Sequence, residues 1–160
     1  MPRRSTPVQF YQAGTYSPQD SVGYMMKRAM LSMVHQVDKR LASLDLTSAQ
    51  WVPLLRIREL GQATVAELAR WSNTDAGAMT RLLDRLEKKG LCRRERSLTD
   101  RRVVHVSLTP EGDVALQSVP VVLADVTNLH LDGFSKAEWE TLKGLLQRIV
   151  VNGDRLRDEG

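Results

Sequence analysis

Between Thr64 and Gly112 the sequence sets out two short helices, a tight turn between them, a basic hairpin and a new helix start. That order restricts the fold more than any other stretch of the chain. Thr64-x-x-Glu67 is a capping box that opens an amphipathic helix over 65–71, with Val65, Leu68 and Ala69 on its apolar side. Ser72-Asn73-Thr74 forms the turn. A second helix over 75–89 places Met79, Leu82, Leu83 and Leu86 at helical spacing and ends at Gly90, where a left-handed cap belongs. Val104, Val106 and Leu108 then alternate with His105 and Ser107 at strand spacing, and Cys92–Arg96 alternates more weakly. The polar run Ser97–Asp100 joins the two as a two-stranded hairpin with a charged tip.

Charge singles out the same region. Residues 75–105 hold nine Lys/Arg against five Asp/Glu, a surplus of four that equals the net charge of +4 of the whole 160-residue chain. The remainder holds 14 of each sign and is neutral. A neutral body carrying one basic helix–hairpin unit fits a polyanion-binding surface. Aromatic residues make up only 5%, which argues against a base-stacking platform for single strands or RNA. At 42% hydrophobic residues in periodic runs, the chain is long and apolar enough for one domain with a real core. The single Cys92 excludes an internal disulfide framework and a multi-cysteine zinc site. No apolar stretch reaches the ~18–20 residues of a membrane span, and the N-terminus has no signal-peptide core. These features predict a soluble cytoplasmic protein with no membrane association.

Cap signals predict six helices, over 18–44, 48–60, 65–71, 75–89, 110–131 and 136–157. Ser17-Pro18 and Thr109-Pro110 mark two starts by a cap followed by proline. Thr47-x-x-Gln50 and Ser135-x-x-Glu138 mark two more as capping boxes. Pro53 should bend the second helix and Pro120 the fifth. The organisation expected is an arm over 1–17, a helix-turn-helix with hairpin over 47–109, and a helical region over 18–46 and 110–160. Those outer helices carry long apolar stripes (Val22, Met25, Met26 and Met30 on the first; Leu142, Leu145, Ile149 and Leu156 on the last). The small middle unit cannot cover so much, so a second copy of the chain is the expected partner. The fold class read from this is mainly α with a small β-wing, a winged helix-turn-helix lobe on a helical dimerisation body.

In a helix-turn-helix the second helix enters the major groove and its first residues reach base edges. Gly77 and Ala78 are small enough for close approach, Thr80 can bond a phosphate or a base, and Arg81 can grip guanine bidentately. Arg85 and Lys88 sit further back and suit phosphates, as do Arg93 and Arg94 on the hairpin. At the hairpin tip, Arg101 and Arg102 can enter the minor groove of double-stranded DNA, with Asp100 orienting one of them.

The run DAGAMTRLLDRLEKKGLCRRERSLTDRRVVHVSLTPEG is similar to the winged-helix core of the MarR family of transcription regulators. Asp100, Arg102, Leu108, Thr109 and Gly112 match the family's wing signature, and Thr80–Gly90 matches the end of its recognition helix. The resemblance extends over about residues 18–157. It implies a ligand-responsive repressor that binds a palindromic operator as a homodimer, often with a small aromatic acid or phenol as inducer. It also implies an effector crevice between body and lobe, for which Met30, Met33, His35 and Trp51 are candidate linings and Arg56, Arg58 or Arg70 candidate carboxylate partners.

Trp51 and Trp71 also suit a core, and a buried Cys92 would act as a small hydrophobe. The three histidines lack metal spacing, and neither metal nor cofactor is expected. No HExxH, phosphate-binding glycine loop or nucleophile elbow supports an enzyme. The competing reading is a winged helix that binds a protein and not DNA.

Overall fold

The computed structural model describes residues 8–72, 74–97, 100 and 103–158. The first long helix, α1 (Val22–Leu41), starts later than the sequence suggests. Ser21 is its true cap, its hydroxyl accepting the Tyr24 amide at 3.2 Å. Pro18–Asp20 forms a separate 3-10 turn whose Ser17 makes no side-chain cap. The Tyr11 hydroxyl accepts the first amide of α1, from Val22, at 3.0 Å, so the arm folds back on the helix start. A 3-10 turn, Ala42–Leu44, extends α1 to Asp45, which adopts the left-handed conformation at φ 51°.

The capping boxes set the next helices at their expected bounds, α2 at Ser48–Leu60 and α3 at Val65–Trp71. The recognition helix α4 (Ala76–Lys88) is capped by Asp75, which accepts the Ala78 amide at 2.8 Å. The hairpin strands are β2 (Cys92–Arg96) and β3 (Val104–Leu108), with Cys92 opposite Leu108 and Arg96 opposite Val104. A short strand β1 (Ala63–Thr64) pairs antiparallel with β3 on its other edge, Ala63 opposite Val106. The expected two-stranded hairpin is therefore a three-stranded sheet, and β1 binds the start of α3 to the wing.

The fifth expected helix is two helices, α5 (Pro110–Leu116) and α6 (Val119–His130). Pro120 has no N–H to give the Leu116 carbonyl, and its ring would crowd that carbonyl, so the helix stops and restarts with proline in its first turn. The Arg58 guanidinium reaches the freed Leu116 carbonyl at 3.5 Å. The last helix, α7 (Lys136–Asp158), opens on the Ser135–Glu138 capping box.

One core holds these elements. Leu54 and Ile57 of α2, Leu68 of α3, Met79, Leu83 and Leu86 of α4 and Val106 of β3 are fully enclosed. Val37 and Leu41 of α1, with Leu116, Val119 and Val126, join the helical body to that core. The outer helices behave differently. α7 buries none of its residues from Lys136 to Arg157, and the first half of α1 leaves Val22, Met25, Met26, Met30 and Leu31 exposed.

Candidate nucleic-acid interface

The buried stripe of α4 fixes which of its side chains look outward. With Met79, Leu82, Leu83 and Leu86 in the core, Gly77, Thr80, Arg81, Arg85 and Lys88 share the exposed face. Ala78 lies half-buried at its edge. A Cβ placed on Gly77 would stand 3.1 Å from Asp75 Oδ1 and 3.6 Å from Arg81 Nη1, so Arg81 lies back toward the helix start beside the capping carboxylate. The Ala78 amide, and more weakly the Arg81 guanidinium, hold the Asp75 carboxyl below the usual carboxylate range. Thr80 spends its hydroxyl proton on the Ala76 carbonyl at 2.8 Å and keeps only its lone pairs for a guest. Arg81, Arg85 and Lys88 make no side-chain hydrogen bond or ion pair with the described residues.

Other basic residues of the region are engaged within the protein. Arg94 of β2 is clamped by two carboxylates of α4, Asp84 Oδ1 at 2.6 Å and Glu87 Oε2 at 2.6 Å from Nη2. Glu87 also accepts the Arg94 backbone amide at 3.0 Å. Arg93 pairs with Glu95 and donates to Ser107, each at 3.2 Å. Lys89 holds the carboxylate and the carbonyl of Asp45 at 2.7 Å. The expectation that Arg94 meets phosphate is corrected accordingly: it fixes the wing's angle on the recognition helix. Replacing Arg94 with methionine should cost about 1–2 kcal/mol in urea unfolding, since the Glu87 carboxylate loses charged donors. It should weaken DNA binding while leaving the log–log salt slope unchanged, whereas a lost phosphate contact lowers that slope by about one.

At the wing tip the Ser97 amide donates to the Val103 carbonyl and the Val103 amide to the Asp100 carbonyl, both at 2.9 Å. Arg101 and Arg102 lie outside the described residues, as does any contact through which Asp100 orients them. At the wing base Thr109 donates to the Gly90 carbonyl at 2.5 Å and accepts the Gly112 amide at 3.0 Å. Cys92 is buried, and that burial pushes its thiol up to about 11, so it is no thiolate at neutral pH. His130 bridges α6 and α1, its Nδ1 at 2.7 Å from the Val126 carbonyl and its Nε2 at 2.9 Å from Ser32 Oγ.

The four candidate effector residues separate. Trp51 is a core residue whose indole N–H has no partner among the described residues. Met33 packs against the same core. Met30 and His35 are exposed and, five residues apart, fall about 140° apart around α1. Trp71, expected in the core, is 48% exposed, and the Arg56 guanidinium stacks 5.6 Å above its ring. The residue that ends α3 has to leave the core where the chain turns out toward α4.

Known structures share this arrangement. The crystal structure of a mutant E. coli MarR in complex with operator DNA is 30% identical, with a TM-score of 0.73, over 79% of this chain and 91% of that one. The chain belongs to the MarR family of transcription regulators. The MarR family profile itself matches residues 46–104, from the loop before α2 to the start of β3. A probable transcriptional regulator from Pseudomonas aeruginosa is 29% identical, with a TM-score of 0.73, over 83% of this chain and 99% of that one. Bordetella bronchiseptica BpsR, whose DNA binding 6-hydroxynicotinic acid regulates, shares the fold at 24% identity and a TM-score of 0.75, over 84% of this chain and 96% of that one. The protein is thus a MarR-family DNA-binding regulator, mainly helical with a small antiparallel sheet, and not an enzyme. No helix among the described residues is long and apolar enough to cross a membrane.

Sequence reading missed the clamp on Arg94. The available signal was Asp84 and Glu87, two acids one helical turn apart on α4, facing a basic strand that follows within a few residues.

Proposed function

We propose that this MarR-family regulator is a cytoplasmic repressor that binds a palindromic operator as a homodimer and is released by a small aromatic effector. The observation that carries the DNA-reading part is the outer face of α4, where Arg81, Arg85 and Lys88 stand free while Lys89, Arg93 and Arg94 are held by acids of the protein. On this reading Arg81 reads base edges beside Gly77 and Ala78, Thr80 accepts a bond, Arg85 and Lys88 meet phosphates, and Arg101 and Arg102 enter the minor groove. The uncovered apolar faces of α1 and α7 support the homodimer. Two α4 helices on one DNA face call for half-site centres about 10 bp apart. A dimer seated there excludes other proteins from that stretch of promoter.

Selection of bound sequences from a random DNA library, followed by mobility shifts across a salt series, tests this. Arg85 and Lys88 of two subunits alone neutralise four phosphates, a log–log salt slope of about −3.6. Arg81→Ala should cost about 1–3 kcal/mol and relax selection at one position of each half-site. A slope near zero, or selection that yields no inverted repeat, overturns the reading.

A further inference from the structure

A long flexible arginine does not choose a base by itself. Bidentate reading of guanine needs the guanidinium plane aligned with the base edge and two N–H groups aimed at O6 and N7. Nothing among the described residues fixes the Arg81 guanidinium by a hydrogen bond or ion pair, so it is free to turn to a phosphate or another base. The neighbour that α4 sets within its reach is a carboxylate. Asp75 Oδ1 caps the helix by accepting the Ala78 amide at 2.8 Å, which uses one of about four acceptor positions of a carboxylate. Gly77 lies between the two groups. Its absent Cβ would stand 3.1 Å from Asp75 Oδ1 and 3.6 Å from Arg81 Nη1, so both border one space that a larger residue would begin to fill. Asp75, Gly77 and Arg81 are all exposed on the outer face of the helix. Glycine in place of alanine costs this turn helix propensity, and the open space is what the chain has in return. A lone carboxylate on a face turned toward phosphates is repelled by them, unless a cation sits between.

We propose that Asp75 is a positioning residue for base reading: as α4 enters the groove, the Arg81 guanidinium closes across the Gly77 gap onto the Asp75 carboxylate and presents its remaining N–H groups to guanine. A guanidinium carries more donors than one base edge accepts, so it can serve both partners at once. Held in one plane, it meets adenine's N6 amino group donor to donor and cannot turn away to recover a bond. Asp75 thereby converts a mobile cation into a guanine-specific one, and its own charge is covered where DNA comes close. A role in capping alone predicts something else: loss of the carboxylate's charge would leave base choice untouched.

The inference rests on the reading of Arg81 as the base contact. The experiment selects operators from a random library with the full-length wild type, Asp75→Asn, Arg81→Ala and the double variant. Mobility shifts at one salt concentration then compare the selected operator, the same operator with adenine for guanine at the position that Arg81→Ala relaxes in one half-site, and an unrelated duplex. The wild type should prefer guanine there by about 5–150-fold, the range of one bidentate contact. Asparagine caps a helix as well as aspartate does, so Asp75→Asn should keep a urea midpoint close to the wild type's. It should lower the guanine preference by about three- to tenfold, the range of one net hydrogen bond. It should bind the unrelated duplex at least as tightly as the wild type, because a negative charge has left a surface that faces a polyanion. In the Arg81→Ala background the same substitution should leave base preference unchanged. Three results for Asp75→Asn overturn the inference: an intact guanine preference, equal weakening on all three duplexes, or the same change in preference with and without Arg81. In the last case Asp75 touches a base itself. A relaxed position that is not guanine overturns it too. Arg81→Ala keeps the two readings apart: wild-type selection by that variant removes the base contact and this inference together, whereas relaxed selection beside an unaffected Asp75→Asn removes the positioning role alone.

Discussion

Gly112→Ala is expected to destabilise the lobe more than any other single-methyl change in the wing. A Cβ at this position would lie 1.9 Å from the Leu91 carbonyl oxygen, 2.8 Å from its carbon and 3.2 Å from its Cα. All three are backbone atoms, so no side chain can swing aside. The approach is close because Thr109 ties α5 to the entry of the wing: its amide donates to the Leu91 carbonyl at 3.2 Å, its hydroxyl to the Gly90 carbonyl, and it accepts the Gly112 amide. Alanine in a helix ordinarily gains up to about 1 kcal/mol over glycine. Here α5 must move off Leu91 and break that seam, and overpacking against a rigid wall costs about 3 kcal/mol or more. Against a total stability of about 5–15 kcal/mol, such a loss lowers the urea midpoint well outside error. Thr109→Val, which removes the hydroxyl and its two bonds without a clash, should cost less, about 1–2 kcal/mol. If Gly112→Ala unfolds at the wild-type midpoint, α5 does not close on the wing as described.

What was legible in the sequence is what local chemistry decides. The Thr47–Gln50, Thr64–Glu67 and Ser135–Glu138 boxes each satisfy amides within four residues, and the helices they open begin where the sequence places them. The start of α1 was not legible, because Ser17-Pro18 offers the same signal as Thr109-Pro110 and only the fold decides that Ser21 caps instead. Strand β1 is two residues long and exists only through its pairing with β3, more than forty positions away. Pro120 marked a disturbance, but whether a helix bends or breaks depends on what else can serve the freed carbonyl, here Arg58 from α2. Charge shows the same division. The surplus of four is a property of the segment, and which cations are held within the protein is decided by the acids the fold sets beside them, as the hairpin brings Arg94 against Asp84 and Glu87 of α4. Of the candidate site, the α4 face followed from helical periodicity, whereas the effector residues required knowing which side of α1 faces α2.

The double variant Leu145→Glu/Ile149→Glu is expected to abolish the homodimer and, with it, tight operator binding. α7 is 23 residues long, and none of its residues from Lys136 to Arg157 is buried within its own chain. Leu145, Leu146, Ile149 and Leu156 remain exposed by 49%, 36%, 42% and 71%, all within one stripe that also includes Leu142. A helix of this pattern gains little by standing in water, and each such side chain contributes about 1.5–3 kcal/mol when covered. The uncovered first half of α1 and the aromatic residues of the arm, Phe10, Tyr11 and Tyr16, extend the same demand. On the proposed homodimer, burying these surfaces against their copies would give an interface of roughly 2,000 Å² or more. Two carboxylates set four residues apart in the middle of α7 place four charges at that interface, a cost of several kcal/mol. The core is built from α1 to α6 and includes no described residue of α7, so the variant should stay folded. Sedimentation at micromolar concentration is expected to find dimer for the wild type and monomer for the variant. Operator affinity should then fall by about 10²–10⁴, the avidity lost when two half-sites are no longer gripped together, while the affinity for a single half-site stays near that of one lobe. A variant that sediments as a dimer and binds the full operator like the wild type would place the interface on another face of the molecule.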